Sequence, residues 1–416
     1  MKEAECMSTG NIQIKEQAGA YESPAELFKA AARYKGERYF YMNKDKSEWL
    51  IGLGHAYIIK DESRNPELIT EQFQALLDQA EQPHHIRLFG GFQFDAGDSS
   101  LFDAFGHSHF IWPKIQIRCQ HNQLTYTYTD MTDEEILNWR SDDEIKAPVV
   151  QSVANLNEGQ FLHNVATAVE AMKAGQFDKV VLSRQKKVVM DAPVDSAWLI
   201  ERGLQNEEYS YFLLLEEQES TFVSRTPEQL VKVEDHQLST NAIAGTMARE
   251  IDQAAQKLMN DAKNRVEHDI VVRSITADIE PFTSRMNLPD APEIMTNRFV
   301  YHLYTPITAQ LEKGNVLSIS HALHPTPALG GFPKEAAATF IEQAEGDRGF
   351  YGAPMGYVTA DGEGEFVVAI RSMLIKENIA VLFAGCGVVE DSVPEAEFDE
   401  TETKFKPMLQ LLGVTE

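Results

Sequence analysis

Short segments in which apolar residues run together or alternate with polar ones recur along the chain. Segments of about four to eight such residues are typical of β-strands, because successive side chains point to opposite faces of a sheet. The dipeptide Asp361-Gly362 is a turn signal that joins two runs into a hairpin. The pattern predicts strands over residues 37–42, 49–54, 86–94, 109–119, 123–129, 179–190, 209–217, 220–234 and 380–385, and the hairpin over 351–375.

Segments with helical periodicity separate these strands. The pattern predicts helices over residues 23–33, 69–82, 158–174 and 263–279, a helix entered from the turn-rich loop 323–343, and an acidic helix that begins at Pro394. Pro407 removes a backbone hydrogen bond, so we expect the last helix to end near Lys406 and residues 408–412 to form a short continuation. Residues 1–20 are expected to be poorly ordered, and residues 138–147 to form a linker.

Strands joined by hairpins and flanked by helices indicate an α/β protein of the α+β type, with antiparallel sheets sandwiched by helices. The sequence contains neither GxGxxG nor GxxxxGK[ST], so a nucleotide-binding doubly wound sheet is not supported. The length of 416 residues suffices for one large domain or two ordinary ones. We treat residues 1–150 as an N-terminal part of the same fold and 151–416 as the catalytic region.

The charge and cysteine content narrow the classes of partner. A net charge of −27 argues against nucleic acid and anionic membranes, because both require a basic face. The three cysteines have no paired spacing, which fits a reducing compartment. The sequence shows no signal peptide and no apolar run of about 18 residues. We therefore expect a cytoplasmic protein. Cys386 could be a reactive thiol, although a small packed residue is the simpler interpretation.

Arg371 is the strongest single indication of a site. It lies in FVVAIRSMLI, which has apolar residues on both alternating faces and therefore predicts a central strand buried on both sides. A buried guanidinium requires a partner, since an uncompensated buried charge costs several kcal/mol. That partner is either a structural carboxylate or the carboxylate of a ligand, which guanidinium binds through two parallel hydrogen bonds.

Two glutamates are candidate ligands for a cation. Glu267 shares a helix face with apolar residues, and its alternative partners are Arg265 or His268. Glu397 lies on the acidic helix, where Thr401 and Lys404 share its face. Two carboxylates of this kind suit Mg²⁺, which keeps several waters and binds anionic substrate groups. The remaining acids of PEAEFDETETK can be explained as a solvated first turn favoured by the helix dipole.

Acid–base chemistry has two further candidates. Lys179 opens an apolar strand and Glu228 follows a Thr-Pro turn, and burial would shift each pKa toward neutrality. The alternative is that both are solvated strand ends. The segments AGT (244–246) and AGCG (384–387) are interpreted as glycine loops whose N–H groups could hold carboxylate oxygens, or as ordinary tight turns.

Nine motifs occur in the order found in chorismate-utilising enzymes, and the chain resembles that family over about residues 155–412. The family includes isochorismate, salicylate, anthranilate and aminodeoxychorismate synthases. The motifs are KVVLSR, SRTPEQL, AIAGT, KNRVEHD, LHPTPALGGFP, GFYGAPMGY, GEGEFVVAIR, LFAGCGVV and PEAEFDETETK. The resemblance implies a single large α/β domain with the site in a central cleft, chorismate as substrate and Mg²⁺ as cofactor.

The resemblance also implies roles for individual residues. Glu267 and Glu397 would bind Mg²⁺, Lys179 would activate water, and Glu228 would protonate the departing C4 hydroxyl. The substrate's carboxylates and enolpyruvyl group would be held by a larger set: Gly245, Thr246, Ala328, Tyr351, Arg371, Gly387 and Lys404.

Three positions separate members of the family. Aminodeoxychorismate synthases carry a nucleophilic lysine at the position of Ala244. Anthranilate synthases lack the lysine that this chain has at Lys179. Salicylate and anthranilate enzymes typically have a threonine at the position of Ala328. The resemblance therefore implies an isomerase, isochorismate synthase, with salicylate synthase as the alternative. Menaquinone biosynthesis is expected rather than a catecholate siderophore. We expect a monomer with no glutaminase partner. The alternative to an enzyme is a non-catalytic binding protein on the same scaffold, which would lack an intact acid, base and metal site.

Overall fold

The computed structural model describes residues 12–18, 23–80, 82–95, 101–121, 123–129, 145–205, 209–296, 300–346 and 348–414. The described helices are α1 (Pro24–Ala30), α2 (Pro66–Leu77), α3 (Glu158–Lys173), α4 (Ser196–Gln205), α5 (Ala254–Asn260), α6 (Ala262–Ile279), α7 (Val316–Leu323), α8 (Lys334–Ala344) and α9 (Pro394–Leu411). No helix in these ranges is long and apolar enough to cross a membrane.

The strands lie mostly where the apolar patterns predict them. They are β1 (Ile12–Ala18), β2 (Arg38–Met42), β3 (Glu48–Asp61), β4 (Arg87–Phe92), β5 (Ser108–Gln120), β6 (Gln123–Thr129), β7 (Val150–Leu156), β8 (Lys179–Met190), β9 (Tyr211–Glu217), β10 (Ser220–Thr226), β11 (Gln229–Glu234), β12 (Gln237–Ala248), β13 (Thr283–Asn287), β14 (Glu293–Thr296), β15 (Val300–Leu311), β16 (Gly331–Phe332), β17 (Pro354–Thr359), β18 (Gly364–Val368), β19 (Ser372–Lys376) and β20 (Ile379–Val388).

All pairings between the described strands are antiparallel, and they form two wings that share β5. One wing runs β6–β5–β3–β2–β9–β10–β19–β20–β8–β7. The other runs β5–β4–β17–β18–β11–β12–β15. Because β2 pairs with β9 and β4 pairs with β17, strands from residues 1–150 and 151–416 belong to one hydrogen-bonded system.

Aromatic side chains from both wings fill the space between them, among them Tyr39, Phe89, Phe222, Tyr357 and Phe383. Helices cover the outer faces: α1, α4 and α9 pack on the first wing, α2, α6 and α7 on the second, and α3 and α8 over β8 and β20. The expected arrangement, antiparallel sheets sandwiched by helices, is confirmed.

Local signals explain the ends of several elements. The side chain of Ser23 accepts a hydrogen bond from a backbone N–H at the start of α1, and Glu26 completes a capping box. Pro24 occupies the first turn, as the sequence predicts. Residues 12–18, part of the segment 1–20 for which poor order is expected, form β1 and pair with β6. The other residues of that segment lie outside the described ranges. Most of the expected linker, residues 138–144, also lies outside them.

The proposed break at Pro407 is wrong, because α9 continues from Pro394 to Leu411 with Pro407 inside it. Proline leaves one carbonyl of the preceding turn without its helical partner. Phe405, Met408 and Leu411 are buried in the core of the first wing on either side of Pro407. Packing of this apolar face therefore holds the helix together across the missing hydrogen bond.

Candidate active site

Lys179 and Glu267 form an ion pair between a strand and a helix. Lys179 is the first residue of β8 and Glu267 lies on α6, and their Nζ and Oε1 atoms are 2.9 Å apart. The partners considered for Glu267 from the sequence, His268 and Arg265, are wrong: His268 contacts the carbonyl of Ala244 and the hydroxyl of Thr305 instead. The predicted base and a predicted metal ligand are thus in direct contact.

Gly387 makes room for the lysine. A Cβ atom at position 387 would lie 3.1 Å from Cε of Lys179, tighter than nine in ten real Cβ contacts. The AGCG segment is not a turn: Gly385, Cys386 and Gly387 lie within β20, opposite Ser183, Leu182 and Val181 of β8. Glycine is required here for close approach of a side chain, not for a change of chain direction.

Glu228 lies just before β11 and is partly buried. Its N–H donates to the hydroxyl of Thr226 and its carbonyl accepts from the N–H of Val368, which fixes the backbone. Burial raises the pKa of Glu228 to about 7, although Lys44, Arg371 and Lys179 each act to lower it. A carboxyl group with this pKa can hold a proton near neutral pH and release it, which is the property required of a general acid.

Arg371 is not in a strand, which corrects the sequence-based interpretation. The chain leaves β18 at Val368 and enters β19 at Ser372, and Arg371 between them has φ = +50°. Its carbonyl accepts from the N–H of Arg225, which anchors the turn to β10. A non-glycine residue in the left-handed region is uncommon and marks sites where geometry serves function. The positive charge of Arg371 acts to lower the pKa of Glu228.

The AIAGT segment is also within a strand rather than a loop. β12 bulges between Ala244 and Thr246, and Gly245 at the bulge has φ = +81°, which favours glycine. The N–H of Thr246 donates to Oδ1 of Asn264 at 3.2 Å, which ties the bulge to α6 and hence to Glu267. The hydroxyl of Thr246 lies 2.8 Å from Nδ1 of His302.

His302 was not found from the sequence. Burial lowers its pKa, and the charge of Arg371 lowers it further. Only the pairing of β12 with β15 brings His302 next to Thr246, and a single sequence gives no signal for a pairing over 56 positions.

Tyr351 and Lys404 meet at Gly385. A Cβ atom at position 385 would lie 2.7 Å from the hydroxyl of Tyr351, and the ammonium of Lys404 donates to the carbonyl of Gly385 at 2.7 Å. Burial raises the pKa of Tyr351, so its phenol stays protonated. Lys404 also pairs with Glu400 at 2.7 Å. Two candidate substrate-binding groups thus converge on one strand.

Glu397 has one oxygen that requires a partner. Its Oε1 accepts from the hydroxyl of Ser392 at 2.7 Å, whereas its Oε2 is buried and has no hydrogen-bond partner among the described residues. Cys386 lies close by, and burial together with the charge of Glu397 raises the pKa of its thiol, so Cys386 is a packed residue and not a reactive one. A buried carboxylate oxygen without a partner is unfavourable by itself and fits a cation.

The donor set fits Mg²⁺ only as a partial site. Glu267 and Glu397 both supply carboxylate oxygens, the ligand type that Mg²⁺ prefers. Within the described ranges, no three His, Cys, Asp or Glu side chains form a group that could hold a metal ion. Water and a substrate carboxylate would therefore have to complete the coordination, as is usual for Mg²⁺ at sites that bind anionic substrates.

Arg184 fixes the helix that carries Glu397 and Lys404. Its guanidinium is buried, lies 3.8 Å from the centre of the Phe398 ring, and donates to the hydroxyl of Thr401 at 2.6 Å. It also forms an ion pair with Glu402, which Lys186 contacts as well. Glu402 was expected to be solvated, and that expectation is wrong. These contacts attach α9 to β8, the strand that begins with Lys179.

Ala328 lies in the loop after α7, partly buried against the core of the second wing. Arg348 holds this loop: it donates to the carbonyls of Leu329 and Val181 and forms a buried ion pair with Glu345. The pair connects the loop to β8 and to the turn that carries Tyr351. No described contact joins Ala328 itself to the other candidate residues.

Glu228, whose pKa burial raises to about 7, and Lys179, which is paired with Glu267, are the chemically distinctive groups of this region. The chain belongs to the chorismate-binding enzyme family, whose sequence pattern matches residues 4–413.

The chain is similar to isochorismate synthases within that family. It is 32% identical to isochorismate synthase MenF of Bacillus subtilis, over 92% of this chain and 89% of that protein. It is 40% identical to the salicylate biosynthesis isochorismate synthase of Pseudomonas aeruginosa, over 61% of this chain and 55% of that protein. The structure of MenF, the menaquinone-specific isochorismate synthase from Escherichia coli, has the same fold, with a TM-score of 0.82 and 24% identity over 97% of this chain and 95% of that one.

Proposed function

We propose that the protein is an isochorismate synthase, an isomerase that converts chorismate to isochorismate. The observation that carries the proposal is the pKa of Glu228, which burial raises to about 7 within reach of the cations Lys179 and Arg371. This arrangement provides an acid for a departing hydroxyl group and positive charge for a dicarboxylate substrate. The similarity to isochorismate synthases over most of the chain supports the same reaction.

The reaction would exchange one hydroxyl group for another. Water adds to C2 of the ring and one of its protons passes to Lys179, which acts here as the neutral amine after its ammonium has released a proton to solvent. The C4–O bond breaks, and the hydroxyl takes the proton of Glu228 and leaves as water. The ring double bonds shift between these two carbons. One water enters and one leaves, so substrate and product are isomers.

The substrate carboxylates would be held by groups on three sides of the cleft. Arg371 supplies a guanidinium from the turn before β19, and Tyr351 and Lys404 approach from either side of Gly385. Thr246, positioned by Asn264 and His302, adds a hydroxyl next to α6. Such positioning converts the attack of water into a step between preorganised groups.

Glu267 and Glu397 would hold Mg²⁺. The metal would supply positive charge that binds the ring carboxylate and offsets the net charge of −27 of the chain. The buried Oε2 atom of Glu397 supports this role, because a cation would provide the partner that it lacks among the described residues.

Menaquinone biosynthesis is the pathway we propose. The support is the extent of similarity: the MenF relative matches nearly the whole chain, whereas the relative from salicylate biosynthesis matches 61% of it. We also propose a cytoplasmic monomer that acts without a glutaminase subunit. Lys179 supports water rather than ammonia as the nucleophile, since it is the group that would take the proton from water.

Supplying chorismate and Mg²⁺ to the purified protein and separating the products by chromatography tests the proposal. Isochorismate alone is the expected product. Salicylate with pyruvate would replace the proposal by salicylate synthase, and anthranilate formed only with ammonia would replace it by an aminating enzyme. No product from chorismate would favour the non-catalytic binding protein. Size-exclusion chromatography with light scattering measures the molar mass in solution and so tests whether the protein is a monomer.

A further inference from the structure

Ser392 organises the short segment between β20 and α9. β20 ends at Val388 and α9 begins at Pro394. The N–H of Ser392 donates to the carbonyl of Val389 at 2.9 Å, and the hydroxyl of Ser392 accepts from the N–H of Val389 at 3.0 Å. Backbone and side chain of Ser392 thus both bind one residue, which fixes the hydroxyl relative to the end of β20.

The same hydroxyl contacts a proposed metal ligand. It lies 2.7 Å from Oε1 of Glu397. Because a backbone N–H can only donate, the oxygen of Ser392 accepts from Val389 and its own proton is free to be donated to the carboxylate. Oε2 of Glu397 is buried and has no hydrogen-bond partner in the part of the chain that the structure describes. One oxygen of this carboxylate is therefore occupied and the other is not.

A serine just before a helix commonly caps the first N–H groups of that helix. Ser392 does not do so. The residue at the cap position of α9 is Val393, and no side chain caps the helix there. Among the described residues, the hydroxyl of Ser392 bonds to Val389, which precedes the helix, and to the side chain of Glu397. Helix capping therefore does not explain this serine, whereas the orientation of the Glu397 carboxylate does.

The anchor of this hydroxyl lies next to the other half of the proposed metal site. Val388, at the end of β20, pairs with Val180, which directly follows Lys179. The ammonium of Lys179 occupies Oε1 of Glu267, so a cation would compete with a positive charge at that carboxylate. The group on Oε1 of Glu397 is a neutral hydroxyl, which leaves the negative charge of that carboxylate for a cation.

We propose that Ser392 is a positioning residue that holds Oε1 of Glu397, so that Oε2 is the oxygen that binds Mg²⁺. The inference rests on the metal role proposed for Glu397 and deepens it by assigning the oxygen and the group that orients it. Ser392 itself does not touch the metal. Groups that hydrogen-bond to a metal ligand fix its orientation, and their loss typically lowers metal affinity about 10- to 100-fold.

The affinity for Mg²⁺ in variants of Ser392 tests the proposal. Isothermal titration calorimetry with Mg²⁺ is carried out in the presence of chorismate and in the Glu228→Gln background, where slow turnover keeps the substrate intact. Ser392→Ala removes the hydroxyl and should lower the affinity about 10- to 100-fold. Ser392→Thr keeps a hydroxyl on the same carbon atom and should bind Mg²⁺ nearly as well as the parent protein.

A matched control uses another serine that donates to a glutamate. The hydroxyl of Ser284 donates to Glu312, away from the proposed metal site, so Ser284→Ala should not change the affinity for Mg²⁺. Thermal unfolding shows whether each variant is folded. Ser392→Cys keeps the size of the side chain with only a weak donor, and it should lose affinity as well if the alanine variant does not fold. Unchanged affinity in a folded Ser392→Ala or Ser392→Cys, or an equal loss in Ser284→Ala, would overturn the proposal.

A double-mutant cycle shows whether Ser392 acts through Glu397. If it does, Ser392→Ala should lower the affinity strongly in a chain that has Glu397 and have little further effect in Glu397→Gln, because the carboxylate that it orients is gone. Losses of affinity that simply add in the double variant would contradict this role.

Failure of the proposed function gives different results. If Glu397→Gln bound Mg²⁺ as well as the parent protein, Glu397 would not be a ligand and the role of Ser392 would also be wrong. If Glu397→Gln bound Mg²⁺ weakly and Ser392→Ala did not, only the role of Ser392 would be wrong. If the Mg²⁺ affinities changed as expected but the original chain formed no isochorismate, the proposed reaction would be wrong while the role of Ser392 stood.

Discussion

The ammonium of Lys179 lies 2.9 Å from the carboxylate of Glu267, so the proposed base and a proposed metal ligand share one ion pair. The two residues are 88 positions apart and come from β8 and α6. Both side chains keep some exposure, 17% for Lys179 and 39% for Glu267, so either can change partner without moving the backbone. The pair places the acid–base chemistry and the proposed metal site in the same part of the cleft.

Lys179→Ala should abolish isochorismate formation while the fold survives. Loss of a general base reduces turnover about 10²- to 10⁴-fold, and the Glu267 carboxylate left behind is exposed enough to be solvated by water. Turnover by chromatography and thermal unfolding by circular dichroism measure the two effects. Near-original turnover would show that Lys179 is not the base.

Glu228→Gln should abolish turnover and also change how stability depends on pH. The folded protein raises the pKa of Glu228 to about 7, so folding favours its protonated form. The stability from this group is full below the ordinary pKa of a glutamic acid and is lost as the pH rises through about 7. Glutamine stays neutral, so the Tm of the variant relative to the original protein should be higher at pH 8 than at pH 5. A pH-independent difference in Tm would contradict the buried-acid assignment.

Gly387→Ala should lower kcat at least tenfold with little loss of stability. The added Cβ would lie 3.1 Å from Cε of Lys179, and the end of a lysine side chain can move aside more easily than backbone. Steady-state kinetics and thermal unfolding test this. Gly159→Ala, in α3, is the matched control: a Cβ there meets nothing within 4 Å, so kcat should not change. Equal kcat values for the two variants would show that the position of Lys179 is not critical.

Glu267→Gln and Glu397→Gln should each weaken binding of Mg²⁺, because each removes a charged oxygen donor. Isothermal titration calorimetry with Mg²⁺ and chorismate measures the affinity independently of turnover. Asp399→Asn is the control, since Asp399 lies on the same helix, is exposed, and loses the same charge. A similar loss of affinity in all three variants would indicate a general effect of charge rather than coordination. Glu400→Gln in the same experiment shows whether the partner of Lys404 also contributes.

The sequence predicts the elements that carry the site better than the conformations within them. Lys179 at the start of a strand and Glu267 on a helix are confirmed, because apolar periodicity identifies both elements. Arg371 was placed inside a strand because the alternation of apolar residues continues through it. Periodicity contains no information on φ, and it did not show that the strand ends at Val368 or that Arg371 adopts a left-handed conformation before β19.

Tertiary packing explains the other differences. Gly385 and Gly387 were interpreted as a turn, but they lie in β20 and pair with β8. Glycine is needed there because the side chains of Tyr351 and Lys179 occupy the space that a Cβ would need. Glu402 was expected to be solvated, but Arg184 lies opposite it on β8. His302 was missed because only the pairing of β12 with β15 brings it to Thr246.

The pairing of β2 with β9 and of β4 with β17 has a consequence during synthesis. Residues 38–42 emerge from the ribosome about 170 positions before the strand that covers one of their edges, and residues 87–92 wait longer for β17. Until then these apolar strands have unpaired N–H and C=O groups on one side, a condition in which chains associate with one another. Shortened chains that end before residue 354 should therefore aggregate more readily than the full chain.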